Sequence, residues 1–378
     1  MRLWLAILIG RLVRSLARAR GGGSALPGRI ARILEPRFLS RTIGRLGTVV
    51  FVTGSNGKST TTGMLVAILR AHGVRVFTNP AGSNLPQGLA SAVLADVTGG
   101  GRLDADVAIL EVDEAYGPLI SRELTPDHLV VTNLQVDQLN RFGEPERVWE
   151  MMNTVAQRTR SSLTINARES ALLSLGNGLP ASAPVRTIDV SQPVIDAHPF
   201  GLVEAQIYSE PYPHQPDGSL TLSGVKGVSA TVSDGSGQSH SFTLPGEGLH
   251  YAVDAALALS TAQMLSSDFS WDVATAALSS MPQVSSHRVK ASQPAQETAE
   301  TRRSSLLPQP ATGGGLPSVP GSSGTPRCTA LSSVRATAPH GARRAVPTQR
   351  SALRSTASGR ARRTGGRPSR PVPRRPAS

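Results

Sequence analysis

Apolar residues along this chain come in short unbroken runs, and each run stops at a turn-forming residue. Val49–Val52, Val74–Thr78, Asp106–Val112 (DVAILEV), His128–Thr132 (HLVVT) and Leu163–Asn166 are rich in β-branched residues and too short for buried helices, so they predict buried strands. The segments between them repeat apolar positions at helical spacing. Thr60–Ala71 puts Met64, Leu65, Ile68 and Leu69 on one face, and Gln87–Leu94 and Trp149–Arg160 also read as helices. Strands alternating with helices predict an α/β fold, with a parallel sheet closed by right-handed crossovers.

Outside that core the pattern changes. Residues 1–45 read as a helical segment punctuated by Gly21-Gly22-Gly23 and Pro27-Gly28. Residues 46–290 form the expected central domain. Within it, about 174–243 is rich in Gly, Ser and Pro with short alternations at Ser229–Ser233 and His240–Thr243, which predicts an insertion of loops and a few antiparallel strands. Tyr251–Leu265 and Asp272–Leu278 predict two more helices, the first dense enough in Ala and Leu to be core. Over residues 291–378 no periodicity survives. A chain dominated by Pro, Ser, Ala, Gly, Thr and Arg buries too little apolar area to offset its ordering entropy, so this tail is expected to be disordered. A slip of reading frame near Val289–Gln293 would also produce such a stretch, and resequencing the coding region distinguishes the two.

The candidate chemistry begins where the first strand ends. Val49–Thr62 reads VVFVTGSNGKSTTT: a strand, a loop closed by Gly54 and Gly57, then Lys58-Ser59 opening a helix. Backbone N–H groups freed by the glycines, the positive end of the helix and the lysine ammonium converge where the β- and γ-phosphates of a nucleotide would sit. Gly54, Ser55, Asn56, Gly57, Lys58, Ser59 and Thr60 are the expected nucleotide-binding residues, with Ser59 or Thr60 placed to ligate Mg²⁺. The two glycines stand closer together than in the common GxxxxGK[ST] form. Polar residues after parallel strands gather on one edge, where open α/β sheets bind ligands, and this brings in Glu111 as a metal ligand and Asn133 as a nucleotide contact. Asp113 and Glu114 suit a supporting role or a helix start. Gln135–Glu144 suits a metal or nucleotide loop and equally an ordinary surface turn.

Charge and cysteine content trim the alternatives. The formal charge of +13 is uneven: 15 of the 39 basic residues lie in 301–378, which has no acid, and residues 1–300 are close to neutral. No aromatic residue follows Trp271, so the basic tail lacks base-stacking groups and no specific nucleic-acid partner is expected. Lysine occurs at positions 58, 226 and 290 alone, which excludes the Asn-Lys-x-Asp guanine-reading motif. The single cysteine, Cys328, excludes a disulfide framework and a cysteine-based zinc site, and cytoplasmic residence follows. Leu3–Ile9 is apolar but far short of a membrane span, and Arg11, Arg14, Arg18 and Arg20 follow it. An amphipathic helix that packs on the protein or touches the inner face of a membrane fits better than a signal sequence.

Taken together, several motifs resemble the Mur ligase superfamily, and more narrowly its MurT branch, the ligase subunits of lipid II isoglutaminyl synthases. They are Gly22–Gly28 before the first strand, Val52–Thr61, Asn79–Asn84, Glu111–Ala115, and Asn133 with Asp137–Leu139 and Arg141–Glu144. A weaker likeness runs through Leu244-Pro245-Gly246 to about Arg288. The resemblance implies an ATP- and Mg²⁺-dependent amide ligase of peptidoglycan synthesis that makes an acyl phosphate on the α-carboxyl of D-glutamate in lipid II. Ammonia from a GatD-like glutaminase, its partner in a heterodimer, would then give D-isoglutamine. Carried over residue by residue, Lys58 and Glu111 are catalytic, Lys58 holds the β/γ-phosphates, and Ser59, Glu111 and Gln138 hold Mg²⁺. Tyr251 and Asp254 stand where the family has asparagines, and Asn140 where it has Asp. The family's third domain has no recognisable counterpart, and zinc, bound by many MurT proteins, is not expected. The rival readings are a folylpolyglutamate-type amino-acid ligase and a truncated, non-catalytic nucleotide-binding remnant.

Overall fold

The alternation of buried strands and amphipathic helices closes into three layers. A computed structural model describes residues 1–19, 25–135, 145–180, 182–199, 212 and 217–283, and all of these fall within one unit, 1–297. Its centre is a sheet of nine strands in the order β2-β3-β1-β4-β5-β6-β7-β8-β9. These are β1 (Thr48–Thr53), β2 (Val76–Thr78), β3 (Val107–Glu111), β4 (His128–Val131), β5 (Ser162–Asn166), β6 (Val185–Val190), β7 (Asp217–Lys226), β8 (Ser229–Asp234) and β9 (Ser239–Thr243). The pairs from β2 through β7 are parallel, and β7-β8-β9 is an antiparallel meander.

Strand periodicity sends successive side chains to opposite faces. Val49, Phe51, Ala108, Leu110, Leu129 and Val131 join one core, and Val50, Val52, Val107, Ile109 and Val130 join the other. The first core is covered by α1 (Arg2–Ala19), α2 (Ala25–Leu34), α3 (Phe38–Thr42), α5 (Pro86–Asp96), α6 (Gly117–Glu123), α7 (Pro145–Ala156) and α8 (Ser170–Leu173). The second is covered by α4 (Lys58–Ala71), α9 (Gln192–Ala197), α10 (Leu249–Leu265) and α11 (Trp271–Ser279). A strand such as β3, with all five residues buried, needs both covers, because each fully buried Leu or Ile contributes about 1.5–3 kcal/mol only when water is excluded from its face. Beyond β7 one face is left to solvent, and the meander alternates apolar Leu220, Leu222, Ala230, Val232 and Phe242 with outward Ser and Thr.

Register aligns the strand ends. Val52 stands opposite Glu111, Thr53 opposite Val131, and Thr78 opposite Ile109. The residues that follow β1, β2, β3 and β4 therefore emerge side by side on one edge.

The structure revises the sequence reading in four places. Pro27-Gly28 lies inside α2 and is not a turn; a proline in the first turn loses no helix bond, and a β-carbon at Gly28 would lie 2.0 Å from the Gln87 carbonyl of α5. The glycine serves a close helix crossing, and its N–H donates to Ser91 Oγ at 2.8 Å. Before β1 the described residues form α1, α2, α3 and a short 3₁₀ turn, Ile43–Arg45, and their Ile7, Ala31, Phe38 and Ile43 belong to the core beneath the sheet, so they form a layer of this unit. The stretch 174–243 is no separate insertion, since β6 and β7 extend the parallel sheet and only β8-β9 is an antiparallel addition. Finally, α6 has no counterpart in the periodicity, because its seven residues span too few turns to establish a stripe. Among the described residues no helix is long and apolar enough to cross a membrane. The expected disorder of 291–378, and Gln138 with its neighbours, lie outside the described residues.

Candidate functional site

The turn after β1 can be made only by glycines. Gly54 has φ +133° and Gly57 φ +80°, both in the left-handed region. Neither has room for a side chain: a β-carbon at Gly54 would lie 2.1 Å from Thr132 Oγ1, and one at Gly57 would lie 2.4 Å from Asp254 Oδ1. Between them the loop is pinned to the end of β4. Ser55 N–H donates to the Asn133 carbonyl at 3.0 Å and Asn56 N–H to Asn133 Oδ1 at 2.9 Å. Asn133 Nδ2 returns a bond to the Asn56 carbonyl at 3.1 Å, and the Thr132 hydroxyl donates to the same carbonyl at 2.5 Å. Gln135 adds its N–H to Ser55 Oγ at 3.0 Å and accepts from Asn56 Nδ2 at 2.8 Å. Asn133, expected to touch nucleotide, thus spends both ends of its amide on the loop backbone and holds its shape.

Helix α4 opens at Lys58 from a left-handed Gly57, with no side chain capping its first turn. Its free N–H groups and dipole make a site for an anion. The Lys58 ammonium donates to the carbonyls of Gly54 (2.5 Å) and Ser55 (3.0 Å) and to Glu114 Oε1 (2.8 Å). Both partners of that ion pair are shielded, and burial raises the Glu114 carboxyl above its ordinary pKa while Lys58 pulls it back down. The other carboxylate oxygen, Glu114 Oε2, is buried without a hydrogen-bond partner. Ser59, exposed next in line, donates its hydroxyl to Glu111 Oε2 at 2.6 Å, and Thr60 follows in the same turn.

Glu111 is held from the other side by the segment after β2. Asn79 exchanges two bonds with the Glu111 backbone, at 3.0 and 3.1 Å, and Asn84 Nδ2 donates to Glu111 Oε1 at 3.2 Å. Asp113 Oδ1 accepts from Ala115 N–H at 3.1 Å, which shapes the turn that precedes α6. Below the loop, Asp254 of α10 is buried against Gly57. Burial pushes its carboxyl well above the usual range, with the Thr61 hydroxyl opposing that shift. Glu169 completes the surround by accepting from Leu134 N–H at 2.9 Å.

The structure therefore brings together Gly54–Thr60, Glu111 and Asn133, and it adds Asn79, Asn84, Glu114, Thr132, Gln135 and Asp254. Asn79 and Asn84 were legible as polar residues following a strand of the same edge, and Asp254 as a family departure. Glu114 was read in the sequence as a supporting residue or a helix start, and the structure gives it the ion pair with Lys58. Among the described residues no three His, Cys, Asp or Glu side chains group to hold a metal by themselves. A hydroxyl and a carboxylate in contact, beside an anion site, nevertheless fit Mg²⁺, which keeps several waters and takes one or two protein oxygens together with substrate phosphates.

Residues 52–193 match the Mur ligase middle domain. The MurT subunit of the glutamine-hydrolysing lipid II isoglutaminyl synthase of Staphylococcus aureus (strain COL) is 35% identical over 158 residues, covering 42% of this chain and 35% of that protein. The MurT subunit of Streptococcus pneumoniae (strain ATCC BAA-255 / R6) is 32% identical over 168 residues, covering 44% and 37%. The chain thus spans little more than a third of the length of the curated relatives it matches. MurF of Acinetobacter baumannii has the same fold, with a TM-score of 0.51 at 15% identity over 68% of this chain and 51% of that one. The middle-domain match and the MurT relatives agree in where they fall: the part of the chain built around the phosphate loop is similar to the Mur ligase middle domain.

Proposed function

We propose that this chain is an ATP-dependent amide ligase subunit of peptidoglycan synthesis that amidates the α-carboxyl of D-glutamate in lipid II. The observation that supports this best is the convergence of Lys58, the uncapped start of α4 and the Ser59–Glu111 pair on one sheet edge. In this reading the β- and γ-phosphates of ATP displace the carbonyls and Glu114 as partners of the Lys58 ammonium. Ser59 and Glu111, the latter oriented by Asn79 and Asn84, would hold Mg²⁺, whose charge would offset that of the phosphates. A substrate carboxylate oxygen attacks the γ-phosphorus, and ADP leaves. Ammonia then attacks the acyl phosphate carbon and expels inorganic phosphate, forming the amide. The protein's share of such chemistry is placement and charge stabilisation, which a pre-formed loop supplies.

The two MurT relatives are named as subunits of a glutamine-hydrolysing synthase, which supports a glutaminase partner as the ammonia source, in the cytoplasm where ATP is available. The test is reconstitution: full-length chain, a GatD-type glutaminase, glutamine, Mg²⁺·ATP and lipid II, with the product read by mass spectrometry. Conversion of the stem-peptide carboxyl to an amide, dependent on glutamine and lost with Lys58→Ala, supports the proposal. ATP binding without amide formation contradicts the substrate assignment and leaves a nucleotide-binding protein.

A further inference from the structure

The outer face of α1 is apolar and uncovered. Met1, Trp4, Leu5, Leu8, Leu12 and Leu16 are each at least 41% exposed, and at 3.6 residues per turn they fall within about a third of the helix circumference. The opposite face, Leu3, Ala6, Ile7 and Gly10, is the one packed into the core. The buried half is therefore satisfied, and the six outward side chains leave much of their apolar surface exposed among the described residues. A surface helix with no further partner would carry polar residues there.

Charge identifies the partner. The first 34 residues contain seven arginines and no acid. Arg11 is committed to the protein, donating to the carbonyls of Leu94 and Val97 at the end of α5, which fixes the orientation of α1. Arg2, Arg18 and Arg29 are exposed. An apolar stripe beginning with a tryptophan and flanked by guanidinium groups matches a bilayer interface, where the stripe enters the acyl boundary and the arginines reach lipid phosphates. An acid-free helix pair is matched by an anionic surface.

We propose that α1 docks this protein, lying flat, on an anionic phospholipid surface through Trp4, Leu5, Leu8, Leu12 and Leu16. The inference rests on α1 and the charge of the α1–α2 pair, and is independent of the ligase reading. The experiment is co-sedimentation of the full chain with vesicles of phosphatidylcholine alone or of phosphatidylcholine and phosphatidylglycerol in equal parts, beside Leu8→Glu/Leu12→Glu. Both leucines are exposed, so the variant keeps its circular dichroism and melting temperature. The wild type is expected to bind the anionic vesicles with a blue shift of tryptophan emission that Trp4→Phe removes, and the double variant to bind roughly tenfold or more weakly. Three results overturn the proposal. The wild type fails to bind; the double variant binds equally, assigning attachment to the arginine-rich residues 301–378; or the wild type forms a dimer that the double variant dissociates, with no vesicle binding, making a second copy the occupant.

Discussion

Two regions of the molecule are rich in polar side chains and mean opposite things. On the outward face of the β7-β8-β9 meander, Thr231 and Ser241 (2.9 Å), Ser233 and Ser223 (3.0 Å), and Ser233 and Ser239 (3.1 Å) bond one another in water. At the carboxyl edge of β1, β3 and β4, Thr132, Asn79, Glu111, Asp113, Glu114 and Asp254 are buried. Burial makes the difference. A solvated hydroxyl ladder exchanges protein bonds for water bonds at little gain, whereas a buried polar group left unmatched costs about 1–3 kcal/mol and more when charged. Polar residues collected at that edge against such a penalty need a compensating purpose, and the one proposed here is a loop shaped to hold an anion.

Four substitutions test that contrast, in falling order of effect. Gly54→Val should be the most damaging, because it combines a left-handed backbone with a side chain driven into Thr132. The expected loss is about 3 kcal/mol or more, read by denaturant unfolding, and a variant of wild-type stability would mean that the loop readily adopts another path. Asn79→Ala removes both side-chain bonds to the Glu111 backbone, and about 2–3 kcal/mol should follow, with weaker nucleotide binding from a misdirected Glu111.

Asp254→Asn should move stability the other way. Its folded pKa lies above the unfolded value of 3.8, so folding takes up a proton. The stability it contributes is complete below the unfolded pKa and is lost as pH rises through the folded one. At neutral pH the asparagine variant should melt higher than wild type, and the gap should close toward about pH 4. A pH-independent difference would mean that the carboxyl does not titrate in this range. At the small end, Ser233→Ala on the solvated ladder should change stability by no more than about 0.5 kcal/mol. A loss comparable to that of Asn79→Ala would erase the distinction between the two regions.

The fold was legible where burial is two-sided. Runs such as VFVT and VAILE announce themselves because both faces are apolar, and the loop between Gly54 and Gly57 announces itself because only glycine makes that turn. β6, with Arg186 and Asp189 in its run, and the short α6 lack such periodic signals. The site was half legible for a related reason. Lys58, Ser59 and Glu111 are named by motif, but the pairing of Lys58 with Glu114, the clasp of Asn79 on Glu111 and the seat of Asp254 under Gly57 depend on strand order. Strand order and register bring residues from positions 58, 79, 111 and 133 to one edge, helix packing brings 254 beneath it, and no local pattern in the sequence encodes that.

The central claim is that this edge holds Mg²⁺·ATP through Lys58. Calorimetric titration of Mg²⁺·ATP into the full chain and into Lys58→Ala, each first verified as folded by circular dichroism, tests it most directly. The wild type should bind, and the variant should bind roughly 10- to 100-fold more weakly, as expected for loss of a charge-assisted contact. A folded wild type that does not bind, or a variant that binds equally, would contradict the account.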